Sequence, residues 1–176
     1  MHLDGVQDIY SQLKHNAHEG IVDQMWYNIL PLYFEIRKNF TLAHEDRPWA
    51  VQSKTRADFI IRLVRKGISR DQVVLIENKR VAQESASATW RDALTQLQGY
   101  MLSARASQFI EDKPNRTMYG IVTVGHYSRF YVLLPAEPRL EDYGSHGGRP
   151  LEFKADEEVI DALLLDIVAR TSTEQR

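Results

Sequence analysis

Apolar residues along this chain fall into blocks of helical and of strand period. Residues 4–15 carry Val6, Ile9, Tyr10 and Leu13 at helical spacing. Residues 17–40 read as a longer helical region, with Ile21, Val22, Met25, Trp26, Ile29, Leu30, Tyr33 and Phe34 on one face. Pro31 is expected to break or kink it, because proline lacks the amide hydrogen and clashes with the preceding turn. Trp49 to Val51 reads as a short strand. Two denser apolar runs follow, 57–65 and 72–79, joined by the polar, glycine-containing stretch 66–71, which fits a hairpin loop.

Downstream, Trp90, Leu94, Leu97 and Met101 form an apolar stripe on a helix over 89–106. Residues 118–124 and 129–134 are strands around a Gly125-His126-Tyr127-Ser128 turn. Residues 135–150 are rich in glycine and proline and read as loop. A last helix, 156–170, collects Val159, Ile160, Leu163, Leu164, Ile167 and Val168, and Asp156, Glu157 and Glu158 complement its dipole. The order of helices, hairpin, helix, hairpin and helix predicts an α/β sandwich with a central mixed sheet. The helix over 89–106 is long enough to cross between the strand pairs.

Composition narrows the function classes. A chain of 176 residues suits a single domain, 1–176. The absence of cysteine excludes disulfides, cysteine-ligated zinc and thiol catalysis. No apolar run approaches the roughly 18 residues of a membrane-spanning helix, and the N-terminus lacks a signal pattern. An intracellular protein is the expectation. The net charge of −2 means that nucleic-acid affinity must come from a local basic patch.

The chemistry concentrates at the ends of the first two strands. Asp58 opens one apolar run, and Glu77-Asn78-Lys79 closes the next. Side chains alternate along a strand, so Glu77 and Lys79 point the same way, roughly 7 Å apart. A hairpin centred near Ile68 or Ser69 brings Asp58 opposite Asn78 or Lys79. Two carboxylates with the Asn78 main-chain carbonyl suit a Mg²⁺ or Mn²⁺ ion, which keeps several waters and needs few protein oxygens. Lys79 then has three roles open to it: orienting a water, acting as its base if its pKa is depressed, or stabilising phosphorane charge. The plain alternative is a solvated Glu–Lys ion pair worth about 1 kcal/mol or less.

Asp58 followed by Glu77-x-Lys79 at the end of an apolar strand resembles the PD-(D/E)XK nuclease superfamily. An apolar helix precedes the Asp strand. The helix after the Glu-x-Lys strand carries Gln96-Leu97-Gln98-Gly99-Tyr100, similar to a Gln-x-x-x-Tyr element of some branches. The likeness covers about residues 17–134. It implies a restriction-endonuclease-like αβββαβ core with extra terminal helices. It also implies a Mg²⁺- or Mn²⁺-dependent nuclease acting on DNA, or RNA, through a metal-activated water. Asp58 and Glu77 would bind the metal and Lys79 would assist hydrolysis. Glu19 is the candidate for a glutamate on the first core helix, with Glu35 second. Gln96 would face the catalytic side of its helix. Arg56-Ala57 stand where a proline often precedes the Asp. Nucleases of this type include homodimers that cut two strands, although nothing in this sequence marks an interface. A catalytically silent module that binds nucleic acid or protein is the alternative.

Other candidates are weaker. Arg56, Arg80, Arg91 and Arg129 suit a phosphate-binding rim. His126 and Tyr127 lie in a strand turn, and His146 lies in a loop without a phosphate-loop motif. His15 and His18 sit three apart on an expected helix. Serine-hydrolase and zincin signatures are missing from the sequence.

Overall fold

The structure is a computed structural model that describes residues 3–48, 54–65, 69–110, 116–144 and 146–173. Helices α1 (Asp4–Ser11) and α2 (Glu19–Tyr33) lead into a single 3₁₀ turn and strand β1 (Phe40–Asp46). Strands β2 (Ala57–Arg65) and β3 (Ser69–Lys79) follow, then the 24-residue helix α3 (Ser87–Ile110). Strands β4 (Met118–Val124) and β5 (Tyr127–Leu133), the short strands β6 (Glu141–Asp142) and β7 (Leu151–Glu152), and helix α4 (Glu157–Thr173) complete the chain.

These strands form one seven-stranded mixed sheet in the order β1-β2-β3-β4-β5-β6, with β7 also on β5. β1, β2 and β3 pair antiparallel, whereas β3 and β4 run parallel. A parallel pair needs a long connection, and α3 supplies it. Because β2, β3 and β4 are covered on both faces, they read as near-continuous apolar runs rather than alternating ones.

Each sheet face has its own apolar core. On one, α1, α2 and α4 pack over Phe59, Ile61, Val74, Ile76 and Ile121. On the other, Trp90, Ala93, Leu97 and Met101 of α3 pack over Ile60, Leu75 and Val122. Gly120 allows α3 to lie this close: a β-carbon there would meet Leu97 Cδ2 and Met101 Sδ at 2.8 Å. Trp26 anchors α2, fully buried, with its indole N–H donating to Thr123 Oγ1 at 2.8 Å. Truncating it to alanine would cost about 3–5 kcal/mol.

Several expectations need correction. Pro31 does not break the helix around it: α2 continues to Tyr33, with the proline in its last turn. The helix ends there rather than near residue 40, and the stretch beyond forms β1. His15 and His18 lie in the α1–α2 connection, not on a helix. The first hairpin is tighter than expected, with β3 beginning at Ser69, opposite Arg65. Trp49 to Val51 lies outside the described residues. Among the described residues, no helix is long and apolar enough to cross a membrane.

Candidate functional site

The antiparallel β2–β3 pair brings the start of β2 beside the end of β3, at one end of the sheet's interior strands. Phe59 faces Ile76 and Ile60 faces Leu75, so the register continues to place Asp58 opposite Glu77, rather than Asn78 or Lys79. The difference comes from the turn: Arg65 pairs with Ser69, so the chain folds back earlier than a centre at Ile68 or Ser69 requires, and the one-residue shift between Ile61 and Arg62 makes up only part of it. The Asp58 carboxylate accepts the Asn78 main-chain N–H at 2.6 Å. In a paired strand the N–H and C=O of one residue point to the same side. The Asn78 carbonyl therefore lies on the Asp58 side, where the sequence reading wanted it.

Glu77 and Lys79 share a face, as the two-residue period requires, and the Lys79 ammonium is paired with Glu77 Oε1. Glu77 is 3% exposed. Its second oxygen, Oε2, is buried and has no hydrogen-bond partner among the described residues. A buried carboxylate oxygen without a partner is costly, and a cation is the kind of partner it lacks. That orphaned oxygen, beside a second carboxylate and a main-chain carbonyl, is an oxygen donor set that fits Mg²⁺ or Mn²⁺. Among the described residues no group of three or more His, Asp and Glu side chains is arranged to hold a metal ion.

Electrostatics bind these groups into one unit. Burial pushes the Asp58 carboxyl up to about 8, and the Glu77 and Asp23 charges add to the rise. Burial also raises Glu77, with Glu19 and Asp23 adding and Lys79 opposing. Burial pulls the Lys79 ammonium down, but Glu77, Glu19 and Asp58 more than offset it, so its pKa is raised. A neutral base at pH 7 needs the opposite direction. Water orientation and charge stabilisation are the roles this environment favours for Lys79.

Helix α2 delivers two acids to the same place. Glu19, its first residue, acts electrostatically on both Glu77 and Lys79. Glu35 is elsewhere, in ion pairs with Arg37 and Lys38. Asp23 is the residue that sequence reasoning missed. It accepts the Asn78 side-chain N–H at 2.9 Å, and burial raises its own pKa. The signal was available, since Asp23 lies four residues after Glu19 and so on the same helix face.

On the α3 side, Gln96 is exposed. The α3 group that senses the carboxylates is Tyr100, one turn further on. Its hydroxyl is pushed up to about 12 by burial and by Glu77 and Asp58, while a hydrogen bond with Thr55 opposes the rise. Tyr100 therefore stays a proton donor.

The rim candidates divide. Arg129 stacks over the Trp90 ring, 4.6 Å from its centroid, and so has a packing role. Arg56 lies 3.8 Å from Glu45, Arg91 lies 3.8 Å from Asp92, and Arg80 is exposed directly after Lys79. His126 is held by Glu84, which accepts its main-chain N–H at 2.7 Å and contacts its Nδ1 at 2.6 Å. Tyr127 opens β5, and His146 sits between β6 and β7. Comparison with family models, curated proteins and solved structures finds no match to this chain.

Proposed function

We propose that this protein is a divalent-metal-dependent nuclease of the PD-(D/E)XK type, hydrolysing phosphodiester bonds of DNA or RNA. The observation that carries the reading is the orphaned Glu77 Oε2 beside Asp58. The element order α2-β1-β2-β3-α3-β4 also supports it, since this is the αβββαβ sequence of a restriction-endonuclease-like core.

Asp58, Glu77 and the Asn78 carbonyl would hold Mg²⁺ or Mn²⁺. When bound, the ion supplies Lewis-acid polarisation of a phosphate oxygen and lowers the pKa of water. Asp58 gives up its proton on loading. Lys79 sets a positive charge where negative charge builds on the phosphate, and Glu77 holds that ammonium in place. Tyr100 offers an O–H donor from the α3 side. Glu19 and Asp23 add negative charge from α2, and Asp23 steadies the Asn78 side chain.

Cleavage of labelled DNA and RNA oligonucleotides tests this. The expected result is cutting in Mn²⁺ or Mg²⁺ that chelation stops and that Asp58→Ala, Glu77→Ala and Lys79→Ala each reduce by at least about 100-fold. Wild-type protein that cuts neither nucleic acid and does not bind Mn²⁺ would refute it.

A second reading has its own observation. The Lys79–Glu77 ion pair already gives one Glu77 oxygen a partner within the chain, as it would in a catalytically silent module that binds nucleic acid or protein. That reading expects nucleic-acid binding by the wild type without metal-dependent cleavage, and full binding by Lys79→Ala.

A further inference from the structure

Lys79 is the last residue of β3, and its pairing with Val124 is the final rung of the β3–β4 ladder. A strand end opens locally at little cost unless something beyond the ladder holds it. Here the Lys79 main-chain carbonyl accepts the Gly125 N–H, from the β4–β5 turn, at 2.9 Å. That turn is held in its own right by Glu84, which follows the short 3₁₀ turn Val81–Gln83 between β3 and α3. Glu84 Oε1 accepts the His126 main-chain N–H at 2.7 Å and lies 2.6 Å from the ring Nδ1. A carboxylate offers only acceptors, so it selects the ring tautomer that carries its proton on Nδ1. The Glu84 main-chain carbonyl accepts the Trp90 indole N–H at 2.9 Å, which ties Glu84 to the start of α3. On its far side, the His126 carbonyl accepts the Phe153 N–H at 2.9 Å.

Gly125 is fitted to this arrangement. Its φ of +57° is open to glycine at no steric cost. A β-carbon there would meet Glu84 Oε1 at 2.1 Å, so the carboxylate fills the space that a side chain would take. The contacts thus run from α3 through Glu84 and the turn to the Lys79 main chain. None of these contacts involves Asp58, Glu77 or the Asn78 carbonyl.

We propose that Glu84 is a positioning residue for Lys79, acting through the Gly125-His126 turn. Its catalytic consequence rests on the nuclease reading above. The Lys79 ammonium is paired with Glu77, and from there it must meet the charge that develops on the phosphate. A cation stabilises that charge fully only when its place is fixed beforehand. Without Glu84 the turn loosens and the end of β3 with it, so Lys79 loses its place. Glu77 and Asn78 lie on inner rungs, opposite Val122 and Thr123, and keep theirs. Glu84 therefore acts on the lysine and not on metal binding.

The test has two arms, both on the full chain and its Glu84→Ala and Glu84→Gln variants. The first needs neither metal nor activity. Lysines are reductively methylated with ¹³C, and the Lys79 resonance is identified by its absence from Lys79→Arg. Glu84→Ala should shift that resonance and leave the other lysine signals in place, whereas Glu84→Gln, which keeps an acceptor oxygen, should leave it at the wild-type position. The second arm is cleavage of a labelled DNA oligonucleotide in Mn²⁺. Glu84→Ala should lower kcat about tenfold or more, with KM and Mn²⁺ affinity held within about twofold, and Glu84→Gln should restore kcat. An unmoved Lys79 signal in Glu84→Ala overturns the proposal, as does a shift of all lysine signals together or a Glu84→Gln that fails as Glu84→Ala does. A wild type that cuts while Glu84→Ala keeps its kcat overturns it too. Wild-type protein that cuts nothing refutes the nuclease reading, and the resonance arm then decides by itself whether Glu84 places Lys79.

Discussion

Asp58 Oδ2 accepts the main-chain N–H of Asn78 at 2.6 Å, tying the carboxylate of one strand to the backbone between Glu77 and Lys79 on the next. A hydrogen bond to the charged form favours that form. Here burial and the neighbouring carboxylates win, and Asp58 is raised to about 8. Glu77 and Asp23 are raised for the same reasons.

The consequence for stability has a definite sign. In the unfolded chain these carboxyls lose their protons near pH 4, whereas the folded protein retains protons to higher pH. The native state binds more protons across roughly pH 4–8, so stability falls as pH rises through that window. Thermal melts without divalent metal are expected to give a higher Tm near pH 5 than near pH 8. Asp58→Asn should raise the Tm near pH 8 by roughly 3–8 °C and flatten the profile. A wild-type Tm that climbs steadily over this range contradicts the buried-acid cluster.

Metal loading must remove the protons that burial retains. Mn²⁺ affinity should therefore increase with pH through the neutral range, with proton release on binding. Calorimetry in two buffers of different ionisation enthalpy measures that release directly. Binding that is independent of both pH and buffer would place the metal somewhere other than Asp58.

Asp23 acts through Asn78. Asp23→Ala should weaken Mn²⁺ binding about 10-fold or more, as loss of an outer partner commonly does, while the far-ultraviolet circular dichroism stays that of the wild type. Unchanged affinity would reduce Asp23 to a surface acid that happens to touch Asn78.

The β4–β5 turn gives a test of the scaffold. Gly125 has φ +57°, and a β-carbon there would meet Glu84 Oε1 at 2.1 Å and Val81 Cα at 2.7 Å. Its N–H donates to the Lys79 carbonyl at 2.9 Å, which ties the turn to the end of β3. Gly125→Ala is expected to cost about 2 kcal/mol or more in denaturant unfolding. A smaller loss would mean that the turn relaxes away from both Glu84 and the Val81 backbone.

The central elements were legible because burial on both faces leaves an unmistakable apolar run, as in β2, β3 and β4. The two-residue period likewise put Glu77 and Lys79 on one face correctly. β1 was not legible. It is an edge strand with mostly partly exposed residues, and it begins just after Asn39, whose φ of 65° ends the preceding turn. The expected helical region stopped at residue 40 and left the stretch that forms β1 as loop. The exact partner of Asp58 was hidden by where the chain folds back: Arg65 already faces Ser69, the shift at Ile61/Arg62 recovers only one residue of that, and one residue of slip changes every facing pair. Asp23 was passed over because its role depends on Asn78, a contact across 55 residues of chain. Gln96 drew attention by its motif, whereas burial beside the carboxylates belongs to Tyr100.

The central claim is that Asp58 and Glu77 hold a divalent ion between them. A crystal grown or soaked in Mn²⁺ and measured at the manganese edge tests it most directly. One anomalous peak is expected at coordination distance from Asp58, Glu77 Oε2 and the Asn78 carbonyl, and Asp58→Ala should abolish it. A saturating soak that leaves the site without a peak, with Lys79 still paired to Glu77, would contradict the claim.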